Sequence, residues 1–61
     1  MAAAQQQLAR QGYYRGEIDG VLGPETRRAL TRFQRDRGLG VTGVLTTDTI
    51  QALGLRRMAS Y

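Results

Sequence analysis

Glu17 and Asp19 are the closest pair of carboxylates in the sequence, and a pair of acids is what glycoside hydrolysis requires. They stand two apart in a glycine-rich stretch, Gly16 to Gly23. Nothing in that stretch buries either acid enough to raise its pKa into the range of a general acid. Histidine and cysteine are absent, which removes the usual nucleophile–base pairs and an ordinary zinc site. Gly16, Gly20 and Gly23 resemble a phosphate-binding loop only superficially, because the spacing matches neither known fingerprint and no strand pattern precedes them. No catalytic residue, metal or cofactor is therefore assigned.

The remaining chemistry is binding chemistry. All nine basic residues are arginines, against five acids, giving a net charge of +4. An anionic partner follows from that balance. Arg15 sits in the Tyr13–Tyr14 loop, where a guanidinium suits a planar carboxylate through paired hydrogen bonds. Arg27, Arg28 and Arg32 are read as steering charges, and their bland reading is a solvated face. Tyr14 is the candidate for an exposed, stacking ring, and Tyr13 is assigned to the core. Asp19 could accept from a ligand amide, but an Asx turn closed with Gly20 accounts for it fully. Gln34 could serve either a ligand or nearby loop backbone, and backbone is the reading favoured for a buried amide.

These residues must be held by a small frame. A 61-residue chain is one domain at most and buries only about 60% of its unfolded surface. Without disulfides the core must be helical and well capped. Ala2 to Gln11 reads as a first helix, with Ala4 and Leu8 on its apolar stripe, no evident N-cap, and Gly12 as a left-handed stop. Tyr13 to Gly23 is a long loop in which Ile18 and Leu22 are expected to plug into the core. Pro24 to Arg37 is the second helix, opened by Gly23-Pro24 and stopped by Gly38. Its buried stripe is Thr26, Ala29, Leu30 and Phe33. Gly38 to Leu45 is a second loop, with Val41, Val44 and Leu45 as plugs. Thr46 or Thr47 then caps a third helix that presents Ile50 and Leu53 and ends at Gly54. A short strand-like pairing of the segments near Ile18 and Val41 is an open alternative.

Asp19 to Leu30 returns in weaker form at Thr42 to Leu53, 23 positions on. The copies share Gly20/Gly43, Val21/Val44, Leu22/Leu45, Thr26/Thr49, Ala29/Ala52 and Leu30/Leu53. One turn-into-helix unit cannot bury its apolar face alone, whereas two packed together can. The expected fold is all-α: a small closed three-helix bundle with a pseudo-repeat relating helices two and three. Residues 1–55 form the domain and 56–61 a basic tail or linker start. No apolar run is long enough for a membrane span, and Met1 to Leu8 lacks the basic and apolar regions of a signal peptide.

The ordered set Gly12-Tyr13-Tyr14, Ile18-Asp19-Gly20, Gly23-Pro24-Glu25-Thr26, Phe33-Gln34, Gly38-Leu39 and Thr42-Gly43 resembles the three-helix peptidoglycan-binding domain attached to bacterial cell-wall hydrolases. The match runs from about Leu8 to Leu53. The resemblance implies a module without catalytic activity that holds a fused enzyme near its wall substrate, outside the cytoplasm, as a monomer. Its partner would be peptidoglycan, through stem peptide or glycan, and Tyr14 would stack on a sugar or peptide face. Similar folds in some metalloprotease pro-segments carry an inhibitory cysteine, which this chain lacks. Thr46 departs from the family's frequent Asp but still caps a helix. The implied ligand site is Tyr14, Arg15, Gly16, Asp19, Gly20 and Gln34.

Two other classes stay open. A nucleic-acid-binding three-helix domain is allowed by charge, although a helix-turn-helix needs a turn of about four residues and the loop Gly38 to Leu45 is longer. A protein-interaction module of a secreted assembly is the third reading.

Overall fold

A computed structural model describes residues 1–55; the expected basic tail at 56–61 lies outside the described residues. Three helices form among the described residues: α1 (Ala2–Arg10), α2 (Pro24–Asp36) and α3 (Thr47–Ala52). Each falls within a residue of the boundary its sequence signals, and no strand forms among the described residues.

The helix ends follow local chemistry. At the end of α1, Gly12 takes φ +87° and Tyr13 N–H donates to the Leu8 carbonyl at 2.8 Å. At the end of α2, Gly38 takes φ +72° and Leu39 N–H donates to the Gln34 carbonyl at 2.8 Å. Both are Schellman closures, in which a left-handed residue lets the chain turn back and satisfy the last carbonyls. α2 starts at Gly23 with Pro24 in its first turn, where a missing N–H costs nothing. α3 is capped by Thr46, whose hydroxyl accepts from Thr49 N–H at 3.3 Å.

Ala4, Leu8, Tyr14, Ala29, Leu30, Phe33 and Leu53 make the core. Met1, Tyr13, Leu39, Leu45, Ala52 and Leu55 pack around it. Phe33 is fully buried at the centre, with Tyr13 set edge-on against it at 5.6 Å and 90°. Arg37 covers another part of the ring, its guanidinium carbon 5.1 Å from the centroid.

The loops are not pinned as expected. Ile18, Leu22 and Val41 are exposed, as is Val21. Of the plugs read from sequence, Leu45 packs on the core. The first loop is anchored by the Tyr14 ring and by hydrogen bonds from Gln5, so its aliphatic side chains are not needed inside.

Candidate functional site

Two glutamines shape the loops. Gln5, fully buried on α1, accepts from Gly20 N–H at 2.8 Å. Its amide nitrogen faces Asp19 Oδ1 and Thr26 Oγ1, each at 3.0 Å, the Val21 carbonyl at 3.1 Å and Tyr14 Oη at 3.3 Å. Gln34, fully buried on α2, accepts from Thr42 N–H at 2.9 Å and Gly43 N–H at 3.0 Å. Its amide nitrogen faces the Val44 carbonyl and Thr49 Oγ1, each at 2.9 Å, and Thr42 Oγ1 at 3.2 Å. Each amide has two protons for these acceptors, so the hydrogen bonds are shared. The repeat therefore extends to the helix before each loop, and Gln5 is the partner of Gln34. Sequence reading missed Gln5 because the first loop is longer than the second, which breaks an ungapped alignment. Gln5 also sits about one turn deeper in α1 than Gln34 does in α2, so allowing for the longer loop alone would still not have paired them.

Asp19 closes the turn as its residue type indicates, accepting from Val21 N–H at 2.9 Å. The Gln5 amide, and after it the Val21 N–H, hold its carboxyl below the usual aspartate range. Gly20 takes φ +75° and contributes its N–H to Gln5, so its role is in the turn itself. Gln34 likewise serves loop backbone from a site closed to solvent.

The expectation of an exposed Tyr14 ring is corrected. Tyr14 is only 6% exposed, with its hydroxyl donated to the Glu17 carbonyl at 2.5 Å. Tyr13, assigned to the core, is half-buried and gives its hydroxyl to Asp36 at 2.7 Å. That hydrogen bond, followed by desolvation, raises the Tyr13 phenol above its ordinary pKa. The Schellman turn sets which ring goes in. The Tyr14 N–H points back at the Leu8 carbonyl, at 3.3 Å, and carries its side chain under the loop.

Tyr14 and Arg15 still contribute to a surface feature. A groove of about 470 Å³ runs between the start of the first loop and α2, lined by Gly12, Tyr13, Tyr14, Arg15, Glu25, Arg28, Ala29 and Arg32. Ala29 and Tyr14 are its buried floor. Arg28 and Arg32, four apart and so on one face of α2, form one wall, and Arg15 stands on the loop side. These three arginines and Glu25 are exposed. Gly16 permits the fold beside it: a Cβ there would stand 2.6 Å from Tyr14 Oη and 2.7 Å from Glu25 Oε1. Asp19 lies instead in a smaller adjoining cleft of about 170 Å³, which shares Tyr14 and Glu25 with the groove. Gly20 and Gln34 line neither. Among the described residues no cluster of acids could hold a metal ion, and no helix is long and apolar enough to cross a membrane.

A capped three-helix frame with a preformed, arginine-walled groove is a small binding module. The chain belongs to a recognised family of them: residues 1–53 match the family described as "Putative peptidoglycan binding domain". It is similar to the localization factor PodJL of Caulobacter vibrioides, 40% identical over 55 residues, covering 90% of this chain and 6% of that protein. It is also similar to the N-acetylmuramoyl-L-alanine amidase CwlM of Mycobacterium tuberculosis, 36% identical over 53 residues, covering 87% of this chain and 13% of that protein. The chain thus spans a small fraction of these relatives' lengths. No solved structure matches it.

Proposed function

We propose that this chain is a non-catalytic peptidoglycan-binding module that holds an attached wall-processing enzyme at its substrate, outside the cytoplasm. Family membership supports the ligand class, and the likeness to an amidase supports the enzyme context. The observation that carries the reading is the groove between Arg15 and the Arg28–Arg32 face, a concave surface lined by three arginines. Acting alone, such a shallow site binds weakly. Fused to a catalytic domain, it raises the local concentration of enzyme on a polymeric substrate without adding any contact to the reaction.

Retention on purified sacculi tests this. The 61-residue chain should co-sediment with sacculi at physiological salt above a neutral control protein of similar size. Equal recovery of the two proteins would remove the proposal. The loop between α2 and α3 does not have the tight turn of a helix-turn-helix, which sets the nucleic-acid reading second.

A further inference from the structure

The groove's chemistry is specific enough to name which part of the wall polymer it reads. The glycan strand is a chain of N-acetylated sugars whose usual protein partner is an open aromatic face. The three described rings are otherwise engaged. Tyr14 and Phe33 are buried in the core, and Tyr13 is half-buried, set at 90° against Phe33 with its hydroxyl on Asp36. Tyr13 and Tyr14 line the groove but leave no open ring face in it, and what the groove offers beside them is guanidinium. Arg28 and Arg32 are spaced along α2 by about 6 Å of helix rise, and Arg15 faces them from the loop. Glu25, one turn before Arg28, is the single carboxylate of the lining.

We infer that the groove binds the peptide stem of peptidoglycan through its carboxylates, and not the glycan; this rests on the peptidoglycan-binding reading above. Planar guanidiniums pair with planar carboxylates through two parallel hydrogen bonds, which a neutral sugar cannot offer. Glu25 supplies the acceptor for an amine or amide N–H on the same peptide. The occupant is therefore a short extended peptide with carboxylates a few ångströms apart and a nitrogen donor at one end. Arg15, Arg28 and Arg32 are its specificity-determining residues. Ala29 and the edge of Tyr14 form the apolar floor under its backbone.

The test is a titration of the labelled chain, followed by amide chemical shifts, with four probes: a synthetic stem tetrapeptide with free carboxylates, the same peptide with its carboxylates amidated, a peptide-free wall disaccharide whose lactyl carboxyl is amidated so that the sugar is neutral, and inorganic phosphate. The free peptide should shift Gly12, Arg15, Arg28 and Arg32 and saturate, while amidation should weaken it by about tenfold or more. The Arg28→Gln/Arg32→Gln double variant keeps good helix formers on an exposed face, so its circular dichroism should stay unchanged while peptide affinity falls by a similar factor. Disaccharide shifting the same residues as strongly as the peptide, equal binding of the amidated peptide, or tighter binding of phosphate would each overturn the inference. Retention on sacculi without peptide binding would sink this inference and leave the module's function standing. Failure of both would remove the two together.

Discussion

Gln5 and Gln34 hold equivalent stations in the two halves of the domain, each receiving a glycine N–H from the loop that follows it, Gly20 at 2.8 Å and Gly43 at 3.0 Å. A side-chain amide replaces strand pairing as the device that closes each loop. It works because a glutamine carries acceptor and donor on one planar group and so can engage both senses of a turning backbone.

Replacing either glutamine by leucine should therefore be costly despite near-equal volume. In Gln34→Leu the buried Gly43 amide and the Thr42 amide lose their shared acceptor, at about 1–3 kcal/mol for each polar group left unsatisfied. In a domain with roughly 3–5 kcal/mol to lose, the variant should be largely unfolded at 37 °C. Thermal denaturation followed by circular dichroism reads this directly; a melting point within a few degrees of the parent would show that the loops close by other means.

Gly16 and Gly40 should respond oppositely to alanine. At Gly16 the new Cβ collides with Tyr14 Oη and Glu25 Oε1, so Tyr14 must leave the Glu17 carbonyl or the loop must shift, at about 1–3 kcal/mol. At Gly40 nothing lies within 4 Å and φ is not positive, so alanine should be neutral or stabilise by about 0.4–1 kcal/mol through the unfolded chain. Urea denaturation of the two variants compares them.

Asp19 should give the acid limb of stability. Its folded carboxyl is held below the unfolded value, by the Gln5 amide first and the Val21 N–H second. The stabilisation is present above the unfolded pKa, about 3.9, and is lost as pH falls through the lower folded value. Asp19→Asn keeps an oxygen for the same donors but no longer titrates. Melting temperatures measured from pH 6 down to pH 2 should fall less steeply in the variant.

Tyr13 has the opposite sign. The hydrogen bond to Asp36 favours the neutral phenol, so its contribution is complete below the unfolded pKa, about 10, and is lost as pH rises through the raised folded value. Ultraviolet titration should show Tyr13→Phe removing the higher-pKa phenol, with the edge contact to Phe33 preserved. In a separate Asp36→Asn variant the Tyr13 phenol should move back toward its ordinary range.

How much of this was legible beforehand depends on how local the cause is. Gly12, Gly38 and Gly54 each announce a left-handed stop, and all three take positive φ. The Gly23–Pro24 start and the Thr46 cap are equally local, and Phe33 with Leu30 marks the core by spacing alone. Tyr13 packs on the core as expected, but Tyr14 goes deeper still, because the turn's geometry decides how far each of two adjacent rings points inward. Ile18 and Leu22 were read as plugs from their type, yet Gln5 already supplies the anchoring. The groove's make-up is less local: Arg15 and the steering charges Arg28 and Arg32 are visible as residue types, but they and Glu25 share one groove only once α2 packs against the loop start.

Because the loop path is imposed by buried amides gripping backbone atoms, the outward aliphatic positions Val21 and Val41, each more than half exposed, are largely relieved of architectural duty. Their letters can be exchanged with little penalty to the frame. Randomising them, while leaving both glutamines and their glycine donors untouched, should yield a library of folded miniature scaffolds with altered recognition.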